Sequence, residues 1–536
     1  MKYWCRKSSS PVHCKSFFPT FAGVGCINDI IVYYIMLRKI RQILASTFYV
    51  GITLLFLDFT GTIHTWLGWM AKIQFMPALF AANTAVLVFL LLLTLVFGRV
   101  YCSVICPLGV MQDVISHISG MRRKKKNRFT YSAACFYLRS VVLAIFIAAF
   151  FLGVGSVVAL LSPYSSYGRI VSNLFAPVWQ AGNNVLAYFA ERVDSYSFYS
   201  TDIWIKSIPT FVIALVTFVV IFILPWRNGR TYCNTVCPVG TILGYVSRFS
   251  LFRVRIDGDR CKSCGLCSRR CKSSCIDYKN SNIDYTRCVT CMNCLDSCKH
   301  GAIHYESRFC GKKKDEGAKK EAGSVGADNS RRTFLTTAAL VTAGSALKAQ
   351  EMKVDGGLAE IADKKVPERS EPILPPGALS KNSFAAKCTG CQLCVSVCPN
   401  QVLRPSTELT RLMQPEMSYE RGYCRPECTK CSEVCPTGAI QLVSLADKSS
   451  TQIGHAVFVM ENCVAVKDKV ECGNCARHCP SAAINMIRSD EDDKTSPRIP
   501  SVDVERCIGC GACENLCPSR PYSAIYVEGH VRHRII

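Results

Sequence analysis

Two stretches, CKSCGLCSRRC from Cys261 and CVTCMNCLDSC from Cys288, share the spacing C-x2-C-x2-C-x3-C. Three thiols two residues apart wrap one face of a cubane cluster on a tight turn, while the fourth, after a longer gap, points to a neighbouring cluster. This spacing assigns Cys261, Cys264, Cys267 and Cys298 to one [4Fe–4S] cluster and Cys288, Cys291, Cys294 and Cys271 to another, with Lys272 and Lys299 where a proline usually follows the fourth cysteine. Four further quartets all end in Cys-Pro: Cys388, Cys391, Cys394, Cys398; Cys424, Cys428, Cys431, Cys435; Cys463, Cys472, Cys475, Cys479; and Cys507, Cys510, Cys513, Cys517. The second and third of these open with C-x3-C and C-x8-C and wrap less regularly. Zinc needs two pairs of ligands and makes no use of a repeated third cysteine. The expected cofactors are therefore [4Fe–4S] clusters, about six, which carry single electrons. Two pairings are open in the C-terminal half. A local one has Cys388, Cys391 and Cys394 share Cys435, and Cys463, Cys472 and Cys475 share Cys517; a nested one joins the first quartet to the fourth. The local pairing is favoured because short loops close at lower entropic cost.

A second cysteine motif is repeated in GRVYCSVICPLG, Gly98 to Gly109, and GRTYCNTVCPVG, Gly229 to Gly240. Positions four apart share a helix face, so Cys102, Cys106, Cys233 and Cys237 can form a four-thiolate metal site or a pair of redox dithiols. A packing role for the motif stays open beside these.

The elements that position these cysteines begin in a membrane. Hydrophobic residues make up 49% of the chain, and the run AVLVFLLLLTLVF, Ala85 to Phe97, favours a bilayer by about 5 kcal/mol. Three other stretches, Ile43 to Phe59, Tyr137 to Leu161 and Pro209 to Trp226, are long enough to cross ~30 Å of hydrocarbon. Basic residues gather before the first span (Arg38, Lys39, Arg41), after the second (Arg99 and the run from Arg122) and after the fourth (Arg227, Arg230), which places those segments in the cytoplasm. The intervening stretches 60–76 and 162–208 then face outward. The net charge of +24 follows this pattern rather than an aromatic-interleaved basic face, so nucleic acid is not an expected partner. The resulting fold class is a multi-domain chain, an α-helical membrane domain of about four spans with α+β two-cluster ferredoxin domains. Residues 1–35 show neither apolar period nor ligand spacing and read as a non-native extension ahead of Met36. The membrane domain takes 36–255, the first ferredoxin domain 256–305, a Lys-rich linker with an apolar segment 306–350, a Pro-rich linker 351–380 and the four-quartet domain 381–536.

Four spans, paired C-x3-C-P motifs and a two-cluster ferredoxin resemble, over Met36 to Tyr305, the NapH-type membrane subunit of quinol dehydrogenases. The remainder resembles the NapG-type ferredoxin subunit, with SRRTFL from Ser330 as a twin-arginine pattern. The resemblance implies a fusion of two subunits, set in the bacterial inner membrane with its C-terminal domain in the periplasm. It implies electron flow from the menaquinol or quinol pool to a periplasmic reductase or cytochrome. Whether the segment ending at Leu347-Lys348-Ala349 is cleaved or stays as a span is open. Asp58 and His64, at the outer end of the first span, are the candidate catalytic residues of a quinol site, with solvated loop residues as the alternative. No C-x-x-C-H occurs, no histidine lies inside an expected span, and no G-x-G-x-x-G is present, which argues against haem and a nicotinamide donor. Two other readings compete: a membrane redox protein for metal reduction or cofactor assembly, and a cytoplasmic polyferredoxin anchor.

Overall fold

A computed structural model describes residues 27–58, 60–122, 129–195, 198–298, 300–309, 363–490, 492 and 496–536. The twin arginines Arg331 and Arg332, the segment to Ala349, most of the basic run from Arg122, Lys299 and residues 1–26 lie outside the described residues.

The helical body starts with α1 (Ile27–Leu57), a single helix that runs through Met36 without a break. From Ile35 to Leu57 it is long and apolar enough to cross a membrane, as is α12 (Ile208–Asn228). Between them lie α2 (Thr62–Leu67), α3 (Trp69–Lys72), α4 (Phe75–Phe80), α5 (Thr84–Phe97), α6 (Val100–Val104), α7 (Pro107–Arg122), α8 (Phe136–Phe151), α9 (Gly155–Leu161), α10 (Pro163–Ile170) and α11 (Ala176–Glu191), the last two joined by a π-helical turn. The expected span Tyr137 to Leu161 is therefore not one helix. It breaks after Phe151, where Gly153 takes φ +71°, a left-handed value that ends α8 before α9 begins. The stretches read as outer loops are also largely helical. α3 folds back beside α1, so that a Cβ on Gly51 would meet Met70 Sδ at 2.7 Å, and α10 is buried along its whole length. Gln74, fully buried, explains part of this return, because its Nε2 donates to Met70 O and Ile105 O, both at 3.2 Å. After α12 come α13 (Thr231–Thr235) and α14 (Pro238–Ser247).

Both cysteine-rich units are built from short helices and two-stranded antiparallel sheets. The first pairs Phe252–Ile256 with Ile303–Ser307 and encloses its own core around Val254, Ile276 and Ile283. In the second, Leu403–Pro405 pairs with Pro415–Met417, Thr451–Phe458 with Ile525–Ile535, and Ile484–Arg488 with Arg498–Val502.

The two units meet opposite ends of the apolar stretch Ile35–Leu57 of α1. At its N-terminal end Arg38 pairs with Asp296 of the first unit. At its C-terminal end Phe56 stands against Gly168, which itself abuts the carbonyl of Cys391 in the second unit. Eighteen residues separate Arg38 from Phe56, about 27 Å of helix at 1.5 Å per residue. Further ties hold each unit. Arg99 Nη1 donates to Thr286 O (2.9 Å), Tyr305 Oη to Phe97 O (3.1 Å) and Arg287 Nη2 to Ser132 O (2.6 Å) on one side. On the other, Lys430 Nζ donates to Thr60 O (2.7 Å) and Asn173 Nδ2 to Gln392 Oε1 (2.8 Å), while the Trp204 ring lies between the guanidinium groups of Arg404 and Arg421, each 4.5 Å from its centroid. Cation–π contacts of this kind contribute ~0.5–2 kcal/mol apiece.

Candidate functional site

The regular quartets share one local geometry. Counting from the first cysteine, the residues at +2 and +4 are left-handed in all four: Ser263 and Gly265, Thr290 and Met292, Gly390 and Gln392, Gly509 and Gly511, with φ from +49° to +79°. Two left-handed residues in five coil the backbone so that three sulfurs converge and successive N–H groups turn inward. Residues with a Cβ hold this conformation at a cost of ~1–2 kcal/mol each, an expense that binding of a metal cluster offsets. Four of the six fourth cysteines share a second feature, a downstream backbone N–H that donates to the sulfur: Ala302 to Cys298 (3.2 Å), Ile440 to Cys435 (3.4 Å), Ala483 to Cys479 (3.3 Å) and Ala524 to Cys517 (3.3 Å). N–H donors stabilise thiolate charge and tune cluster potential.

The sulfurs exchange partners between neighbouring quartets. Cys398 joins Cys424, Cys428 and Cys431 around one cavity, and Cys517 joins Cys463, Cys472 and Cys475 around another. Cys435 stands beside Cys388, Cys391 and Cys394, and Cys479 beside Cys507 and Cys510, which lie with Cys513. The local pairing is thus the one the fold adopts, and the nested alternative is not. In the first unit Cys271 sits with Cys288, Cys291 and Cys294, and the short helix carrying Cys267 packs on the turn ending at Cys298. The donor sets suit iron–sulfur clusters. Burial pushes the thiols of the second unit up, Cys391 and Cys510 to about 12 and Cys475 to about 11, so that at neutral pH iron must draw the protons off these three. Among the described residues no three His, Cys, Asp or Glu side chains converge as ligands of a single ion; the thiolates of a cubane each bind a different iron and stand wider.

The quartets of the second unit form a row. Cys394 faces Cys431, Cys424 N donates to Cys510 O at 3.0 Å, and Cys513 faces Cys475. The row begins at the helical body, where buried Tyr164 and Arg169 lie beside Cys391.

Cys102, Cys106, Cys233 and Cys237 come together in the body, each with 4–5% of its surface exposed. Asp58, by contrast, is neither a free base nor a solvated loop residue. It is buried at the end of α1 and accepts from Thr60 N (3.0 Å), Thr60 Oγ1 (2.7 Å), Gly61 N (2.9 Å) and Ile63 N (2.8 Å), so that its carboxylate ties down the start of α2. His64, on α2, faces the Val434 backbone of the second unit and is held below its ordinary pKa by burial, against the opposing pull of Asp58.

Three features escape a reading of spacing. Cys275, outside every quartet, is buried with its sulfur 3.4 Å from that of Cys271, and this hydrogen bond holds the Cys271 thiol below its ordinary range. The CKSSC stretch was the available signal. A cavity of about 360 Å³ lies where α1, the π-turn and α11 meet the second unit, lined by Phe56, Leu57, Asn173, Gln180, Trp204 and Lys206 among others. Lys206 Nζ donates to Val395 O at 2.9 Å, and burial draws its pKa down to about 8 against the attraction of Cys398 and Cys394. These lining residues come from distant segments, and no local pattern announces them.

The family model described as a 4Fe-4S binding domain matches residues 80–127 and 210–257, each holding one C-x3-C-P pair, and that described as a 4Fe-4S dicluster domain matches 387–439 and 470–520. The methylamine utilization ferredoxin-type protein MauM of Methylophilus methylotrophus is 35% identical over 157 residues, 28% of this chain and 69% of the relative. MauM of Methylorubrum extorquens is 32% identical over 195 residues, 35% of this chain and 84% of the relative. The ferredoxin-type protein NapG of Escherichia coli is 30% identical over 154 residues, 27% of this chain and 65% of the relative, slightly under two thirds of its length. No solved structure matches the chain.

Proposed function

The chain belongs to the MauM family of ferredoxin-type proteins, iron–sulfur electron carriers, and from that premise we propose that it is a membrane-bound carrier taking electrons from a quinol and passing them to a periplasmic reductase or cytochrome. The observation that carries the quinol half is the cavity between Phe56, Trp204 and Lys206. Its volume lies in the range of small-molecule sites, ~300–1,000 Å³. Its walls are mainly apolar, and Asn173, Gln180 and Lys206 supply polar atoms for a quinol head. Ser396 on its wall is two residues from both Cys394 and Cys398. The clusters supply one-electron chemistry. The protein's own part is to exclude water around the quinol and hold its hydroxyl groups near these polar atoms.

In this reading the body crosses the bilayer four times, α1, α5, the broken pair α8–α9 and α12, as in a NapH-type subunit fused to a NapG-type one. The ~27 Å between the two docking ends of α1 is close to a bilayer's ~30 Å hydrocarbon thickness. This favours units on opposite faces over a wholly cytoplasmic polyferredoxin. The first unit is cytoplasmic by the basic-residue pattern, the second periplasmic, and the six exchanged sets of four cysteines each hold one cluster.

The test uses the full chain in detergent, a reduced short-tail quinol as donor and EPR as readout. Quinol reduces clusters in the native protein, and Trp204→Ala with Lys206→Met slows this at least tenfold while dithionite still reduces every cluster. Native protein that quinol leaves oxidised, or a double variant as fast as native, overturns the proposal.

A further inference from the structure

The two C-x3-C-P motifs are built alike and completed by each other. In both, the second cysteine's N–H donates to the tyrosine carbonyl, Cys106 to Tyr101 O (3.0 Å) and Cys237 to Tyr232 O (3.1 Å), and a proline then opens the next helix. The arginines cross over. Arg230 of the second motif donates from Nη1 to Cys102 O (2.7 Å), and Arg99 of the first from Nη2 to Cys233 O (3.4 Å). The glycines permit this closeness, since a Cβ on Gly109 would stand 2.4 Å from Cys102 O and one on Gly240 2.3 Å from Cys233 O. The four sulfurs lie within electrostatic reach of one another. Polar donors are aimed at them: Gln112 Nε2 at Cys233 Sγ (3.2 Å), Gly240 N at Cys237 Sγ (3.4 Å) and Arg99 Nη2 at Cys102 Sγ (3.8 Å). Gln112 Oε1 and Arg230 Nη2 are buried beside them with no partner.

Each segment matched as a 4Fe-4S binding domain contains only two of these cysteines, half the ligands of a cluster. The structure supplies the other half from the second segment. Its position is equally specific. Toward the first unit, Arg230 N donates to Lys272 O (2.8 Å), next to Cys271, and Asn234 Nδ2 to Ser273 O (3.4 Å). Toward the second, Tyr232 bonds Ser166 and faces Arg169, which faces Cys391.

We propose that Cys102, Cys106, Cys233 and Cys237 form one shared site for a single iron–sulfur cluster, the redox link through the helical body between the two ferredoxin units. Such a centre supplies one-electron exchange, one iron passing between Fe(III) and Fe(II) with no bond or proton moved. The Arg99 guanidinium, together with that of Arg230, which also pairs with buried Asp113 (2.8 Å), offsets part of the negative charge of four thiolates. The proposal goes beyond the quinol reading and stands whichever molecule is the donor.

The test is made on the full chain, purified anaerobically. Cys102→Ser and Cys237→Ser, one from each motif, remove the same EPR signal and the same amount of iron and sulfide, and the double variant loses no more than either single one, because one cluster is shared. Additive losses, zinc in place of iron, or unchanged iron overturn the site. Gln112→Leu removes the donor to Cys233 while keeping all ligands. It shifts the reduction potential of that one signal downward, and a purely structural site leaves every potential unmoved. This variant decides the matter if the serine variants fail to fold. In proteoliposomes, membrane-impermeant dithionite applied on the side of the first unit reduces the second unit's clusters in native protein and at least tenfold more slowly in the double serine variant; equal rates overturn the link.

Discussion

Gly168 is where the helical body and the second ferredoxin unit come closest, and filling it measures how tightly they must seat. A Cβ there would stand 2.4 Å from the Cys391 carbonyl oxygen and 2.7 Å from Phe56 Cζ, against 3.4 Å for ordinary contact, so the ligand loop must retreat by about 1 Å. Overpacking of this order costs ~1–3 kcal/mol. Alanine in place of glycine within α10 returns up to ~1 kcal/mol of helix propensity, and that gain must be separated from the clash. Gly182, in α11, provides the separation, because a Cβ there meets nothing within 4 Å. The difference between Gly168→Ala and Gly182→Ala is thus the steric cost alone, ~1–3 kcal/mol, or roughly 5- to 150-fold in the docking equilibrium at 1.4 kcal/mol per tenfold. The assay is limited proteolysis of the detergent-solubilised full chain, timing release of the C-terminal unit, with iron content measured alongside. Gly168→Ala releases the unit faster by that factor and Gly182→Ala does not. Equal release from the two variants refutes the contact between Cys391 and α10, and with it the seating of the second unit on this end of the body.

Three other outcomes are expected. Cys398→Ser removes the EPR signal that Cys428→Ser also removes and spares the one dependent on Cys391; loss of the Cys391-dependent signal instead would contradict the exchanged ligands. His533, whose ring nitrogens are both buried without partners, is held by burial at about 4. Between that value and ~6.5 the unfolded chain binds the proton and the folded one does not, so stability falls as pH drops through this window, by at most about 3 kcal/mol; His533→Phe flattens the slope in urea titrations at pH 4.5 and 6.5, and an unchanged slope refutes the assignment. On the proposed periplasmic placement of the second unit, replacing Arg331 and Arg332 by lysine retains their charge yet leaves the domain 381–536 inaccessible to protease in spheroplasts, since a twin-arginine signal is read by a receptor; native protein equally protected there would favour a cytoplasmic second unit.

The grouping of the cysteines was legible because its information is local. Three thiols two residues apart restrict the chain to turns such as those at Ser263 and Thr290, whatever the rest of the protein does, and sequence distance alone favoured the exchange of Cys398 and Cys435 over a nested pairing. The apolar runs of α1 and α12 were equally plain, because a span needs only length and composition. Asp58 shows the complementary case. A carboxylate at a helix end can be a proton acceptor or a turn cap, and only the four donors around it decide.

What the amino-acid order determined by itself is the character of each segment: cysteine quartets spaced for iron–sulfur clusters, helices long and apolar enough to cross a membrane, and two C-x3-C-P motifs of equal build. What only the tertiary structure decided is which segments meet. Cys102 and Cys237 are 135 residues apart, Phe56 and Lys206 150, and Gly168 and Cys391 223. Contacts at such separations come from packing of whole helices, so the apolar cavity and the two docking ends of α1 emerge only once the elements are folded together, while the repeated C-x3-C-P motif announced the four-cysteine site only as one of its open roles.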